Sequence, residues 1–333
     1  MKISLQRAAA CCKMVTMKRT IFALLAAALL FSLAACGAGP ADTAMEKNNT
    51  KPVVVTTLFP AYDFARTIAG ERCEVSLLVP PGTEAHSFEP TPRDLLRIAD
   101  CDLLVANGGE SEEWLETMLD GIDGEVPVLY MLDCVDALEE EEKEGMQDLR
   151  EEEPEDEIEY DEHVWTSPRN AMAICRAICD ELCAIDADGA AYYRQNCDGY
   201  CAELEGLDAA FREIVAQGRL HCLIFADRFP VRYFVEEYGL DYYAAFPGCA
   251  DDAEPSARTV AFLIDRVREE RVPAVFTIEY SNEKMADVIC EDTGCKKLLF
   301  HSCHTLSAED LARGETYLSL MWANTESVRE ALG

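Results

Sequence analysis

Positive charge is scarce in this chain. Its 333 residues carry 29 lysines and arginines against 63 aspartates and glutamates. Such an acidic balance excludes nucleic acid as a partner, because phosphate backbones select basic surfaces. It favours solubility and the attraction of cations. Histidine and tryptophan are also rare, at five and three residues. There is no His-Glu-x-x-His pair and no Gly-x-Ser-x-Gly turn, so the two commonest signatures of exported hydrolases are missing. No Cys-x-x-Cys motif occurs, although cysteine itself is abundant at 16 residues. After the N-terminal segment no apolar run approaches the ~20 residues of a membrane span. Internal repetition is not evident.

What is present begins with a targeting segment. Lys18 and Arg19 precede an apolar run from Ile21 to Leu33. That run is too short to span a bilayer and reads as a signal peptide over residues 1–35. It ends in Leu33-Ala34-Ala35-Cys36-Gly37, which resembles the bacterial lipobox. The resemblance implies cleavage before Cys36, lipidation of its thiol and anchoring to the cell membrane on the extracytoplasmic side. Met17, directly before the basic pair, is the alternative start. Five basic residues and no acidic ones precede Cys36, so the remaining chain carries 24 minus 63, or −39.

Two cysteines precede the signal and Cys36 is lipidated, which leaves 16 minus 3, or thirteen, an odd number with at least one free thiol. Cys175, Cys179 and Cys183 recur every fourth residue, as do Cys197 and Cys201. Those spacings form stripes on helices. Free cysteine packs as a small apolar side chain, so the stripes are read as core.

From Lys51 on, short β-rich runs alternate with helical patterns. Val53–Phe59, Glu74–Val79, Asp102–Ala106 and Val126–Leu132 read as buried strands, with helices at Tyr62–Ile68 and Pro92–Ile98. Thr91-Pro92-Arg93-Asp94 is a helix start with a capping Thr and Pro in the first turn. Ser167-Pro168 is another. Ala187–Gln217 is helical almost without breakers, with Leu204, Leu207, Phe211 and Ile214 on one face. The alternation resumes with strands at Leu220–Phe225, Tyr242–Phe246, Ala274–Ile278 and Lys297–Phe300, and helices at Ser256–Arg271 and Asn282–Thr293. The expected fold class is α/β. It has two lobes, each a mostly parallel sheet flanked by helices, joined by one long rigid helix. The expected divisions are a linker over 36–50, a first lobe over 51–186, the joining helix over 187–218 and a second lobe over 219–333. Within the first lobe, Glu139–Glu162 holds fifteen carboxylates and two basic residues. Like charges at that density resist collapse, which predicts a solvated, mobile loop.

The five histidines are His86, His163, His221, His301 and His304. In open parallel sheets ligands gather beyond the carboxyl ends of the strands. His86 follows such a strand in Pro80-Pro81-Gly82-Thr83-Glu84-Ala85-His86, and His163 stands before the capped helix at Ser167. His301 follows the last strand. Imidazoles so placed suit zinc and related divalent metals. His221 precedes its strand and is expected at the other end of the sheet.

These segments resemble the metal-binding lipoproteins of ABC importers for zinc and manganese. The resemblance covers residues 51–333. It is carried by the His86 loop, Asn107-Gly108 with Trp114-Leu115, His163-Val164-Trp165-Thr166-Ser167-Pro168, Phe225–Phe229 before Tyr238-Gly239-Leu240, and Glu279 after its strand. It implies two metal ligands per lobe, the first two carrying over to His86 and His163. The family's third ligand is a histidine after the second lobe's first strand, where this chain has Phe225-Ala226-Asp227-Arg228-Phe229. Its fourth is an aspartate where this chain has Phe300-His301-Ser302. The expected site is therefore His86, His163, Asp227 and His301, with Glu279 as substitute for Asp227 and His304 as rival to His301.

Three imidazoles and one carboxylate suit tetrahedral Zn²⁺, while more oxygen ligands would favour Mn²⁺. Four protein ligands leave no open position for a catalytic water, so carriage is expected and not an enzyme. The resemblance implies capture of a divalent transition metal, zinc first, and delivery to an ABC importer permease by a monomer. The alternatives are a manganese- or iron-specific lipoprotein of the same type, or an exported zinc-dependent enzyme. The acidic loop reads either as a weak cation collector or as a tolerated insertion.

Overall fold

The computed structural model describes residues 51–83, 88–147, 159–248 and 255–333. His86, Cys36 and the middle of the acidic loop fall outside them.

The first sheet consists of β1 (Val53–Thr56), β2 (Glu74–Leu77), β3 (Leu103–Ala106) and β4 (Val128–Tyr130), ordered β2-β1-β3-β4 with every neighbour parallel. Parallel pairing requires a crossover between strands. Helix α1 (Phe59–Ala69), α2 (Pro92–Ala99) and α3 (Glu113–Asp120) supply it. The first strand stops three residues earlier than its sequence suggests, because Pro60 sits in the first turn of α1 and helix takes over. Thr91 and Asp94 form the reciprocal cap of α2. In α4 (Pro168–Ile185) the Ser167 hydroxyl accepts from the Asn170 N–H.

The long helix α5 (Ala190–Gln217) follows a single 3-10 turn at Ala187–Gly189. Its 28 residues span about 42 Å. Tyr193, Cys197, Tyr200, Leu204, Leu207, Phe211 and Ile214 are buried at alternating steps of four and three. That rhythm keeps one stripe inward along the whole length.

The second sheet comprises β5 (Cys222–Arg228), β6 (Asp241–Phe246), β7 (Ala274–Thr277) and β8 (Lys296–Leu299), ordered β6-β5-β7-β8 and again all parallel. Its crossovers are α6 (Arg232–Tyr238), α7 (Ala257–Glu270) and α8 (Lys284–Thr293). Two further helices, α9 (Ala308–Arg313) and α10 (Tyr317–Leu332), close the chain. Helix α10 packs along α5, and one apolar cluster runs from Val54 through α4 and α5 to Phe276 and Phe300. Cys175, Cys179, Cys197 and Cys201 are buried in it, as the thiol stripes suggest. Among the described residues no helix is long and apolar enough to cross a membrane.

The acidic loop departs from a free insertion at both described ends. Glu139 and Tyr160 form an antiparallel bridge, and the Gln147 N–H donates to the Ala245 carbonyl of β6 at 2.8 Å. The Lys143 ammonium sits 2.5 Å from Asp241 Oδ1 and 4.0 Å over the Tyr242 ring. Glu141 accepts from the Tyr242 hydroxyl at 3.2 Å, so Lys143, Gln147 and this carboxylate together tie the flank of the segment to the edge of the second sheet.

Candidate metal centre

The carboxyl ends of the second sheet's strands, together with His163, line a cleft. Arg228 ends β5, Glu279 and Tyr280 follow β7, and Ser302, His304 and Thr305 follow β8; all line it beside His163.

His163 is clamped by both sheets. Asn107, beyond β3, donates its side-chain N–H to the Glu162 carbonyl at 3.0 Å. The Ser111 N–H donates to Glu162 Oε1 at 2.9 Å. From the second sheet's side, the Tyr233 hydroxyl donates to the Asp161 carbonyl at 2.7 Å. Asp161 Oδ1 then accepts from the His163 backbone N–H at 2.8 Å and lies 3.2 Å from its Nδ1. A carboxylate only accepts, so Nδ1 carries the proton and Nε2 is left with its lone pair. Burial on its own would lower the pKa of this ring, but the Asp161 carboxylate and the charges of Glu162 and Glu140 together outweigh it and the pKa is raised. Gly248 makes the close packing possible. A Cβ there would come within 2.8 Å of the Phe229 carbonyl and 3.3 Å of His163 Cε1.

The His304 ring stands edge-on to His163, with centroids 5.5 Å apart, and lies 5.5 Å from the Trp165 ring. Glu279 is gripped by the loop that carries His304. Its Oε1 accepts from the Ser302 hydroxyl at 2.5 Å and the His304 N–H at 3.3 Å, and its Oε2 from the Ser302 N–H at 2.7 Å. Trp165 Nε1 donates to the Ser302 carbonyl at 2.8 Å, so the His163 segment and the Glu279 loop are joined directly.

Two residues expected at the site lie differently. Asp227 is not among the residues lining the cleft. Its Oδ1 accepts from the Arg228 N–H at 2.9 Å and its Oδ2 from the Ile278 N–H at 3.4 Å, and burial raises its pKa. The register of β5 against β6 shifts between Phe225 and Arg228, and such an irregularity reverses which residues face the site. Arg228 lines the cleft as a result. His301 does not line it either. Its Nδ1 accepts from the Cys303 N–H at 3.0 Å, and its backbone is bracketed by Asn324. It still lies 3.6 Å from Glu279 Oε1. His221 is exposed before β5, at the end of the sheet away from the cleft. The loop that bears His86 enters at Gly82, whose N–H donates to Thr305 Oγ1 at 3.1 Å, one residue from His304. Among the described residues no three His, Cys, Asp or Glu side chains converge closely enough to hold a metal ion.

Sequence reasoning missed Asp161, Arg228 and Ser302. The Asp-x-His spacing at 161–163 is a usable signal for the first. Nothing local marks the other two.

The sequence matches the family described as Zinc-uptake complex component A periplasmic, over residues 54–331. It is 30% identical over 310 residues to the High-affinity zinc uptake system protein ZnuA of Bacillus subtilis, covering 92% of this chain and 95% of that one. The zinc-binding lipoprotein AdcA of Streptococcus pneumoniae is 30% identical over 279 residues. That alignment covers 83% of this chain, which spans only 55% of AdcA's length. The manganese-binding lipoprotein MntA of Halalkalibacterium halodurans is 27% identical over 313 residues, covering 93% and 98% of the two chains. Among solved structures, the Zn(II)-bound ZnuA-like domain of S. pneumoniae AdcA superposes with a TM-score of 0.70 at 28% identity, covering 85% of this chain and 99% of that one. With a match across nearly all of the described fold, this chain belongs to the zinc-uptake component A family.

Proposed function

We propose that this chain captures Zn²⁺ outside the cytoplasm and delivers it to an ABC importer, held at the membrane by lipid on Cys36. The observation that carries the reading is the edge-on approach of His163 and His304 at 5.5 Å, with Glu279 lining the same cleft. The proposed ligands are His163 and His304, which already approach each other, with Glu279 drawn in from the same cleft lining as the ion binds and His86, whose loop begins beside Thr305, completing the shell. This set keeps the imidazole-to-carboxylate ratio that suits tetrahedral zinc. It replaces Asp227 by Glu279 and His301 by His304. Four protein donors leave no place for a catalytic water, which supports carriage over hydrolysis. Manganese is the second reading, favoured by the likeness to MntA. His301, 3.6 Å from Glu279, is the reserve donor.

Zinc titration of single variants in competition with a chelator tests the assignment. Removing a residue that hydrogen-bonds a metal's ligand typically costs about 10–100-fold in affinity, so losing a ligand should cost about 100-fold or more. H86A, H163A, E279A and H304A should show that loss, and D227A and H301A should bind within about tenfold of the parent. The opposite pattern at 301 and 304 would return the fourth ligand to His301. Full zinc binding by all four ligand variants would end the reading.

A further inference from the structure

The segment between Glu279 and His304 contains a second chemical feature. It runs through α8, reverses at Gly294 and returns along β8. Gly294 has φ +76° and its N–H donates to the Cys290 carbonyl at 2.9 Å. Thr293 fastens the reversal, its hydroxyl donating to the Ile289 carbonyl at 2.7 Å and accepting from the Cys295 N–H at 3.3 Å. Held in this way, Cys290 Sγ and Cys295 Sγ stand 3.5 Å apart. Both side chains are half-buried against the smaller apolar cluster of the second sheet, open enough for a small reagent to reach. Other close thiols lie in the main core: Cys197 and Cys201 sit on successive turns of one helix at 3.9 Å, and the buried Cys179 meets Cys183 and Cys197.

We propose that Cys290 and Cys295 are a disulfide-forming pair that staples α8 to β8. The oxidant is a low-molecular-weight disulfide. One protein thiolate attacks it and expels a thiolate; the second then attacks the mixed disulfide and expels the other. Two Sγ–H bonds and one S–S bond break, one Sγ–Sγ bond forms, and both protons leave on two small thiols. The sulfurs need to close by about 1.5 Å to bonding distance. Burial pushes the Cys290 thiol up to about 12, so its attack is slow at neutral pH and quickens in alkali. The staple fixes the connection from which Glu279 and His304 project. Its presence in cells rests on the extracytoplasmic location proposed above, but the pairing itself does not.

The test uses the purified full chain, equilibrated with oxidised and reduced glutathione, alkylated in acid and mapped by peptide mass. In the oxidised sample Cys290 and Cys295 should be joined to each other and closed to alkylation. Closing a six-residue loop should raise Tm by about 3–4 °C, and C290S/C295S should show no such shift. Alkylation of both thiols after oxidising equilibration, or a join from either one to a different cysteine, overturns the proposal. If the purified chain closes but protein trapped from intact cells carries both thiols free, the pairing stands and the location fails.

Discussion

Asp161 sets the condition of His163. By accepting a hydrogen bond from Nδ1–H it leaves the Nε2 lone pair free, and its charge helps to raise the pKa of the ring. Protons and zinc compete for Nε2, so a raised pKa means that binding weakens from a higher pH as acid is added. In D161N that charge is lost, and burial is opposed only by the more distant charges of Glu162 and Glu140. We expect zinc affinity at pH 8 to fall about tenfold and the acid midpoint of binding to move to lower pH, both read by chelator competition between pH 5.5 and 8. A midpoint that stays in place would show that Asp161 only positions the ring. Gly248 makes a steric prediction at the same scale. In G248A the new methyl meets a carbonyl at 2.8 Å, and backbone cannot swing aside as a side chain does. A stability loss of about 1–3 kcal/mol is expected from denaturant titration, with weaker zinc binding because His163 Cε1 lies behind it. At this scale the sequence was partly legible. Of the proposed donors, His163 is marked by its place before a capped helix, and Glu279, expected only as a substitute for Asp227, by its place after a strand. The choice between His301 and His304 does not, because Cys303 adopts φ +64° and Asn324 brackets His301 from a distant helix. No pattern within Phe300–Thr305 encodes those two facts. The β5 register shift hid Arg228 for the same reason.

Elements were more legible than site residues, because periodicity and caps are local. Each of the eight strands falls on an expected run, and the Thr91 and Ser167 starts hold. The stripe on α5 was visible from Leu204 to Ile214 and extends back to Tyr193. Leu207 is fully buried at the middle of that stripe, so L207A should cost about 2–5 kcal/mol in urea unfolding while a surface change such as E203A costs under about 0.5. Similar costs for the two would mean that α5 is not seated as described. The acidic segment was the least legible element. Charge density argues for solvation along its whole length, yet Lys143, Gln147 and even the acidic Glu141, which accepts from the Tyr242 hydroxyl, dock its flank on β6. Local composition reports an average, and docking is decided by exceptions to it.

Across the whole molecule, the two sheets meet through bonds made largely by buried aromatic side chains. Tyr317, at the start of α10, donates its hydroxyl to the Trp165 carbonyl at 2.6 Å, and its N–H to the buried carboxylate of Asp63 at 3.0 Å. Trp165 donates onward to Ser302, which holds Glu279. If the proposed donors come from both sheets, metal affinity depends on how firmly these contacts fix one sheet to the other, since a ligand misplaced by an ångström no longer completes the shell. W165F probes that dependence: it keeps a six-membered ring beside His163 and His304, deletes the donor to Ser302 and leaves a small cavity where the rest of the buried indole stood. We expect a fold unchanged by circular dichroism and a loss of about 1–2 kcal/mol in stability from the unpaired carbonyl. Zinc should leave several-fold faster in stopped-flow mixing with a chelator, because loosening a preformed site acts mainly on the off-rate. An unaltered off-rate together with the stability loss would mean that Trp165 braces the sheets without controlling the metal, and release would then have to start elsewhere, with the His86 loop at Gly82 as the next place to look.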